Sequence, residues 1–309
     1  MDAIWRAVLD GCRERPVLLD LGASAGAPAA WNTIASSCVY VGFEPDPRST
    51  DTVSSGFAQT IIVRAAATDV EAPTVPMHLT RSRFCSSTLP PDAISLEKFV
   101  FADLFEIDRI EEVPATTLTL ALRSHGVRRV QWFKADTQGT DLRLFQSLED
   151  AVRTRVLAVD LEPGLINAYH GEDFFVDVHA YMTAHGFWLS SMNVGTNTRG
   201  SRAMCERVFG RAVAADAVPA KYRQTPVCCE ARYLRELDSA ALDGDDLAAL
   251  ATFAAMDHQP LFALEAIEAI GATDRGEAVQ QLWDACVTAV RPAPAAPGGL
   301  LSRVRRRLA

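Results

Sequence analysis

The sequence predicts an α/β protein whose sheet is mostly parallel and is covered by helices on both faces. Two observations carry this prediction. Short apolar runs alternate with stretches of helical periodicity over residues 17–235, as they do in repeated β-α-β units. Several of these runs are apolar on both faces, which strands require when helices cover both sides of their sheet.

The predicted strands and helices can be placed in chain order. Strands are expected at 17–21, 39–43, 60–65, 130–136 and 156–161, with a further pair at 74–79 and 186–191. Helices are expected at 3–13, 28–36, 116–125, 139–149 and 173–185. The segment 82–114 is long and mixed, and such a length is typical of a lid or a binding loop.

Charge is unevenly distributed along the chain and divides it into three parts. The net charge is −9, yet residues 236–290 hold eleven acidic residues and one arginine, and residues 291–309 hold five arginines and no acidic residue. Helical periodicity in the acidic part indicates two or three short helices. We therefore predict a main domain over 1–235, an acidic helical appendage over 236–290, and a Pro/Ala/Gly linker with a basic tail over 291–309.

Composition limits the class of protein and its partners. A chain of 309 residues that is 49% hydrophobic can bury a full core, and no apolar run reaches the ~18 residues that a membrane span needs. The first residues lack a leader pattern, and the seven cysteines are scattered without C-x-x-C spacing, so we expect a cytoplasmic protein with reduced thiols. The main domain has no basic cluster of the kind that phosphate binding needs, which argues against a nucleic-acid partner.

The basic, amphipathic tail allows three hypotheses. It contacts anionic lipid at the inner surface of a membrane, it contacts the acidic helices of 236–290, or it is a solvated terminus. The sequence does not decide between them, and it leaves the oligomeric state open.

A glycine-rich turn follows the strand 17–21, and a carboxylate, Glu44, follows the strand 39–43. Such ends of parallel strands form a nucleoside site, because glycines let the backbone approach the ligand and a carboxylate binds ribose hydroxyls. The spacing Gly22-x-x-x-Gly26 differs from the Gly-x-Gly-x-x-Gly of dinucleotide sites, so it favours a ligand without phosphate, such as S-adenosylmethionine. Asp20 is then expected to orient the methionine ammonium through the turn.

A second motif lies at the end of the strand 130–136. Asp136 ends this strand, and Thr137-Gln138-Gly139-Thr140-Asp141 opens a helix. Because neighbouring strand ends line one crevice, Asp136 is expected to face the same cleft as Asp20 and Glu44. The predicted cofactor-binding residues are Asp20, Gly22, Ala23, Ser24, Gly26, Glu44, Asp69, Asp136 and Gln138.

At these residues the chain resembles the FkbM family of S-adenosylmethionine-dependent methyltransferases. The family motif Lys-x-Asp-x-Gln/Glu-Gly-x-Glu is matched by Lys134-x-Asp136-x-Gln138-Gly139-x-Asp141, with Asp141 where the family has Glu. A later Glu of the family is matched in Asp160-Leu161-Glu162, a Tyr by Tyr169, and a Ser-Ser stretch before Pro by Ser86-Ser87-Thr88-Leu89-Pro90. The resemblance covers roughly residues 15–192.

The resemblance implies a Rossmann-like class I methyltransferase fold. Such a fold has a seven-stranded, mostly parallel sheet, with one reversed strand expected at the edge. The resemblance also implies O-methyl transfer from S-adenosylmethionine to a hydroxyl of a saccharide, a glycan intermediate or a natural product. Residues 193–309 lie outside it.

Transfer to a hydroxyl requires help, because an alcohol is a poor nucleophile, and a general base or a metal ion can supply it. Asp136 and His170 are the candidate bases, and Asp136 is alternatively a residue that orients the methionine end. Asp136, Asp160 and Glu162 are three carboxylates at adjacent strand ends, which suits Mg²⁺. The candidate residues for binding a hydroxylated or anionic acceptor are Arg81, Ser86, Ser87 and Tyr169.

Each candidate also has a purely structural alternative. Asp20 can brace the turn, Glu44 can be solvated, and Asp136 can be a structural carboxylate. Asp160 and Glu162 can be surface acids, and His170 can be an ordinary loop histidine. Two alternatives remain for the function as well: a catalytically inactive, methyltransferase-like binding module that works through 236–290, and another nucleotide-binding enzyme such as a dehydrogenase.

Overall fold

The computed structural model describes residues 1–24, 26–46, 48–49, 56–210, 224–238, 242–271 and 276–291. The predicted linker and basic tail, apart from Arg291, therefore lie outside the described residues. No helix within these ranges combines the length and the apolar character that crossing a membrane requires.

Strands and helices alternate over residues 107–235, as the periodicity predicts, whereas the strands of residues 39–80 follow one another with no helix described between them. The strands are β1 (Val17–Leu21), β2 (Val39–Phe43), β3 (Gln59–Val63), β4 (Ala66–Thr68), β5 (Thr74–Thr80), β6 (Ile107–Thr117), β7 (Trp132–Ala135), β8 (Ala158–Leu161), β9 (Phe187–Asn197) and β10 (Thr225–Arg235). The helices are α1 (Asp2–Asp10), α2 (Ala93–Leu96), α3 (Leu118–Ser124), α4 (Asp141–Ser147), α5 (Asp150–Arg153), α6 (Phe175–Ala184), α7 (Arg202–Phe209), α8 (Gly244–Met256), α9 (Pro260–Ile270) and α10 (Glu277–Val290).

The main sheet of the described chain has seven strands in the order β3-β2-β1-β7-β8-β10-β9. The first five run parallel, and β10 runs antiparallel to both of its neighbours. The mostly parallel, seven-stranded sheet is thus confirmed. The reversed strand, expected at the edge, instead lies one position inside it, because β10 inserts between β8 and β9 and buries Cys229, Tyr233 and Leu234.

Helices cover both faces of the sheet, and alternate side chains of each strand enter two separate apolar layers. On one face Leu19, Val41 and Phe133 pack with residues of α3, α4 and α6. On the other face Leu18 and Trp132 pack with residues of α1, α8, α9 and α10. The C-terminal helices are therefore part of the core of the sheet.

The predicted C-terminal helices are α8, α9 and α10. The ring of Phe253 in α8 lies 4.8 Å from that of Trp132, centroid to centroid. Asp243 caps α8 through a capping box with Asp246, and Pro260 begins α9. The boundary between 235 and 236 stays a prediction, since one apolar layer runs across it.

Two expected features differ in the structure. The helix expected at 28–36 is replaced by two short 3-10 turns, Ala29–Thr33 and Ala35–Ser37, and helices from elsewhere in the chain cover this face. The segment 82–114 is no simple loop, because its end forms β6, which pairs with β4 and β5 in a second sheet. β6 buries only Val113 fully, so it gives no apolar run in the sequence.

Candidate functional site

The glycine turn after β1 passes directly against the end of β7. Gly22 has a φ of +82°, and a Cβ built on it would lie 2.1 Å from the carbonyl oxygen of Asp136, so only glycine fits. The N–H groups of Gly22 and Ala23 donate to the carbonyl oxygen of Phe43 at 3.1 and 3.0 Å. Gly26, with a φ of +78°, donates to the carbonyl oxygen of Ala23. Both positions therefore adopt a backbone conformation that favours glycine, as their spacing predicts.

A cavity opens beside this turn. We call it the first cavity. Its walls come from the ends of β1, β2 and β7 and from the segment after β5, and they include Gly22, Ser24, Glu44, Arg83, Asp136 and Gln138. The structure therefore brings both sequence motifs to one cavity.

Glu44 is the buried carboxylate of the first cavity, with 3% of its surface exposed. Its Oε1 accepts the backbone N–H of Asp46 at 2.7 Å. Burial raises the pKa of Glu44 to about 7. A ligand that donates hydroxyl hydrogen bonds to this group would compensate for its lost hydration.

A chain of hydrogen bonds holds Asp136 at the opposite wall. The side-chain amide of Gln138 donates to Asp136 Oδ1 at 2.6 Å, and the hydroxyl of Tyr169 lies 2.9 Å from Gln138 Oε1. Ser87 Oγ donates to the backbone carbonyl of Gln138 at 2.8 Å. Gln138 adopts a φ of +59°, which is unusual outside glycine, and these contacts hold it there.

Asp141, which stands where the family has Glu, keeps a structural role. Its Oδ1 accepts the backbone N–H and the hydroxyl of Thr137, at 2.9 and 2.6 Å. Its Oδ2 accepts the backbone N–H of Glu162 at 2.8 Å. Asp141 therefore joins the end of β7 to the end of β8, where the charge of Asp136 acts on the carboxyl group of Glu162. Burial, together with the charges of Asp136 and Asp141, raises the pKa of Glu162 to about 9.

A row of alternating charges crosses the sheet beneath the site. Asp20 is opposite Lys134 in the strand register, Lys134 is opposite Asp160, and Asp160 is opposite Arg232. Lys134 Nζ donates to Asp20 Oδ1 at 3.0 Å. Burial by itself would lower the pKa of Lys134, but the charges of the surrounding carboxylates, with that of Asp20 the largest, together outweigh burial and hold this pKa above its usual value. Opposite charges in cross-strand positions stabilise such a sheet.

The structure places Asp20 beneath the glycine turn, and its expected effect on the methionine ammonium through that turn stays a prediction. Asp20 is fully buried, and it also accepts the hydroxyl of Tyr40 at 2.9 Å. With Lys134 and Tyr40 as partners, it braces the strands beneath the turn and does not line the first cavity.

The expected metal site of Asp136, Asp160 and Glu162 is wrong as well. Both oxygens of Asp160 pair with Arg232, at 2.6 and 3.0 Å, and the indole N–H of Trp132 donates to Oδ2. The charge of Asp160 is thus already compensated by a cation of the protein. Across the described residues, no group of three acidic, histidine or cysteine side chains is arranged to hold a metal ion.

The four residues predicted to bind the acceptor all have partners within the protein, and their binding of the acceptor stays a prediction. Arg81 makes exposed ion pairs with Asp103 and Glu106 and lies outside the first cavity. Ser86 lines that cavity, but its hydroxyl accepts from Arg48 at 2.8 Å. Ser87 and Tyr169 are buried and support Gln138. In each case the sequence does not reveal this tertiary partner.

Two further predicted residues lie away from the cleft. His170 is exposed on a loop, where its backbone N–H donates to Pro90, and it lines no described cavity. It is therefore not placed to act as the base. Asp69 follows β4 as an exposed residue and does not line the first cavity, although Ala66 and Ala67 of β4 do.

The site residues predicted from the sequence do not include three residues that support the site in the structure. Arg48 pairs with Asp46 at 2.7 Å and links it to Ser86, across the mouth of the first cavity. Glu172 packs against Gly139, and burial raises the pKa of its carboxyl to about 7. Lys134 could have been found, because it stands in the second motif and is the only basic residue in its strand.

Comparison with known proteins identifies the family of this chain. Residues 20–189 match the model of the methyltransferase FkbM domain, while no curated protein matches the chain. Among solved structures, the 23S rRNA methyltransferase ErmE is similar over 91% of this chain and 96% of that chain, with 11% identity and a TM-score of 0.27, values too low to support an argument. The family match spans more than half of the chain and includes both motifs, so this chain belongs to the FkbM methyltransferase family.

Proposed function

We propose that the protein is an S-adenosylmethionine-dependent O-methyltransferase that acts on a hydroxyl of a saccharide, a glycan intermediate or a natural product. The observation that carries the proposal is the first cavity, in which Glu44 and Asp136 stand at the ends of β2 and β7 on either side of the Gly22 turn. Family membership supports methyl transfer. The donor, the acceptor and the methylated atom are the parts that need a test.

The residues of the first cavity fit S-adenosylmethionine better than a dinucleotide. The N–H groups of Gly22 and Ala23 are used by the carbonyl oxygen of Phe43, so they are not free to bind phosphate. The wall carries three carboxylates, Glu44, Asp46 and Asp136. Asp46 is paired with Arg48, so Glu44 and Asp136 are the two that favour a cationic ligand. These contacts speak against the dehydrogenase alternative.

When bound, S-adenosylmethionine supplies a methyl group on a sulfonium centre, and its C–S bond breaks with the electron pair left on sulfur. Glu44 would accept the ribose hydroxyls. Asp136, held by the Gln138 amide, would accept the proton that the acceptor hydroxyl loses. Glu162 follows the neighbouring strand β8, and burial together with the charges of Asp136 and Asp141 raises its pKa to about 9.

The proposal extends to location and partners. We propose a cytoplasmic protein that acts on a small-molecule or glycan acceptor and has no nucleic-acid partner. The net charge of −9 supports the last point, because phosphate contacts need clustered cations. The contact of the basic tail with the inner membrane surface is part of this proposal and can be tested by vesicle flotation of the full chain.

The donor is tested by calorimetric titration of the full chain with S-adenosylhomocysteine and with NAD⁺. We expect micromolar binding of the first and none of the second. Glu44→Gln should weaken S-adenosylhomocysteine binding by about tenfold or more, since it removes a charged acceptor. Glu112→Gln, an exposed glutamate of β6, is the matched control and should bind normally.

The methylated atom is tested by turnover with a donor that carries a ¹³C-labelled methyl group. A panel of monosaccharides and glycosides serves as acceptors, and product NMR distinguishes O-methyl from N-methyl or C-methyl groups. An O-methyl product supports the proposal. Donor binding with methyl transfer only to nitrogen or carbon contradicts it, and donor binding without any transfer favours the inactive binding module.

A further inference from the structure

A second cavity of about 830 Å³ lies beside the first, above the row of alternating charges. We define it by Lys134, Asp160, Glu162, Glu230, Arg232 and Asp257, which all line it. The first and second cavities meet at the end of β7, because Ala135 lines the second and the next residue, Asp136, lines the first.

The cations of the second cavity are already paired within the protein. Lys134 is bound to Asp20, and Arg232 is bound to Asp160 and to Asp257, the latter at 2.9 Å. The described lining residues therefore offer no unpaired cation to an anionic ligand. Glu230, in contrast, is exposed and its carboxylate has one partner given by the structure, the Asn193 amide at 3.3 Å.

Asp257 is the least satisfied group of this cavity. Only 6% of its side chain is exposed, and its Oδ1 accepts from Arg232 and from Ser191. Its Oδ2 is buried and has no hydrogen-bond partner among the described residues. A buried carboxylate oxygen without a donor is unfavourable, so it indicates a group that donates when the cavity is filled.

Asp257 also lies outside the part of the chain that matches the family. The match covers 20–189, while Asp257 follows α8 and reaches the cavity because α8 packs on the sheet. Ser191 and Arg232 come from β9 and β10, which likewise lie beyond residue 189. One wall of the second cavity is thus specific to the C-terminal region of this chain.

We propose that the second cavity is the acceptor pocket, and that it binds a polyhydroxylated group that is neutral or cationic, such as an unmodified sugar or an amino sugar. Hydroxyl and ammonium groups donate hydrogen bonds to Asp257 and Glu230, whereas phosphate or carboxylate groups would meet carboxylates and paired cations. The inference rests on the proposed function, since it places the acceptor next to Asp136. It assigns specificity to Asp257, a residue of the C-terminal region.

The test is a ligand-observed NMR titration of the full chain, with and without saturating S-adenosylhomocysteine. The probes are D-glucosamine, D-glucose and glucose 6-phosphate. We expect the first two to bind and the third to bind at least about tenfold more weakly. Asp257→Asn keeps the shape and removes the charge, and it should weaken glucosamine binding by about tenfold.

One control variant and one further cavity variant make the test specific to the second cavity. Asp284→Asn, an exposed aspartate of α10, should leave all three probes unchanged. Asn193→Ala, at an exposed position of β9, should weaken the binding of the two sugars, as Asp257→Asn does. The test therefore does not depend on the folding of a single variant.

Each outcome bears on a separate claim. Sugar binding that is lost in Asp257→Asn, with S-adenosylhomocysteine affinity unchanged, supports the acceptor pocket. Equal or tighter binding of glucose 6-phosphate overturns it, and so does the absence of sugar binding in a protein that binds S-adenosylhomocysteine. Failure to bind S-adenosylhomocysteine contradicts the proposed function instead. The sugar titrations then show whether the second cavity binds sugars independently of that function.

Discussion

The first and second cavities lie side by side at the strand ends, yet they are built in different ways. The first is formed by residues that directly follow β1, β2 and β7, and backbone hydrogen bonds of Gly22, Ala23 and Asp136 hold them. The second is formed by side chains from four strands and from the end of α8, and ion pairs hold them. The geometry of the first cavity therefore depends on a few residues that are close in sequence. The geometry of the second cavity depends on which strands are neighbours in the sheet.

The largest expected effect concerns the backbone of the first cavity. Gly22→Ala forces a Cβ against the carbonyl oxygen of Asp136, so we expect the free energy of unfolding to fall by about 2–4 kcal/mol and S-adenosylhomocysteine binding to be lost. Gly126→Ala is the matched control, because its φ is +70° but nothing lies within 4 Å of the added Cβ. It should lose only about 1–2 kcal/mol. Equal losses in urea denaturation would show that the close approach does not matter.

The second effect concerns the ion pairs of the second cavity. Arg232→Met leaves Asp160 and Asp257 without their cation, and we expect a loss of about 3 kcal/mol in the free energy of unfolding. Arg81→Met removes two exposed ion pairs and should change stability by less than about 1 kcal/mol. S-adenosylhomocysteine affinity should stay unchanged in both. A parallel loss of affinity in Arg232→Met would mean that the two cavities act as one site.

The third effect is a pH dependence of the first cavity. The pKa of Glu44 is about 7 in the folded protein against an ordinary value of 4.5, so folding retains its proton, and this group lowers stability as pH rises from about 4.5 to 7. A ligand that donates to the carboxylate binds the ionised form, so S-adenosylhomocysteine affinity should rise toward pH 7, by at most about tenfold per pH unit. Glu44→Gln should remove this slope in calorimetry, whereas a slope that persists would assign it to another group, such as Glu172.

The smallest effect concerns the support of Asp136. Tyr169→Phe removes the hydroxyl that contacts Gln138 and the carbonyl oxygen of Cys85, and we expect a loss of about 0.5–1.5 kcal/mol in the free energy of unfolding. If the chain of hydrogen bonds positions Asp136, the pH profile of methyl transfer should shift as well. Tyr181→Phe, in α6, is the control and should leave that profile unchanged. Unchanged profiles in both variants would give Tyr169 a purely structural role.

The parts of the site that were predictable lie next to the strands that carry them. Gly22, Glu44, Asp136 and Gln138 follow apolar runs by at most a few residues, so chain order alone places them at one edge of a parallel sheet. The roles of Asp20 and Tyr169 were not predictable, because each depends on a partner more than 15 residues away, Tyr40 and Gln138 respectively. A carboxylate beside a glycine turn looks the same in sequence whether it faces the ligand or a buried lysine.

The sequence by itself determined the α/β class, the parallel strands β1, β2, β7 and β8, and the glycine turn with its carboxylates, because periodicity and local motifs encode them. The tertiary structure alone decided that β10 inserts between β8 and β9, which sets Arg232 opposite Asp160. It also decided that α8 carries Asp257 to the same place. Long-range pairing is selected by the packing of whole layers, and no short stretch of the chain records that choice.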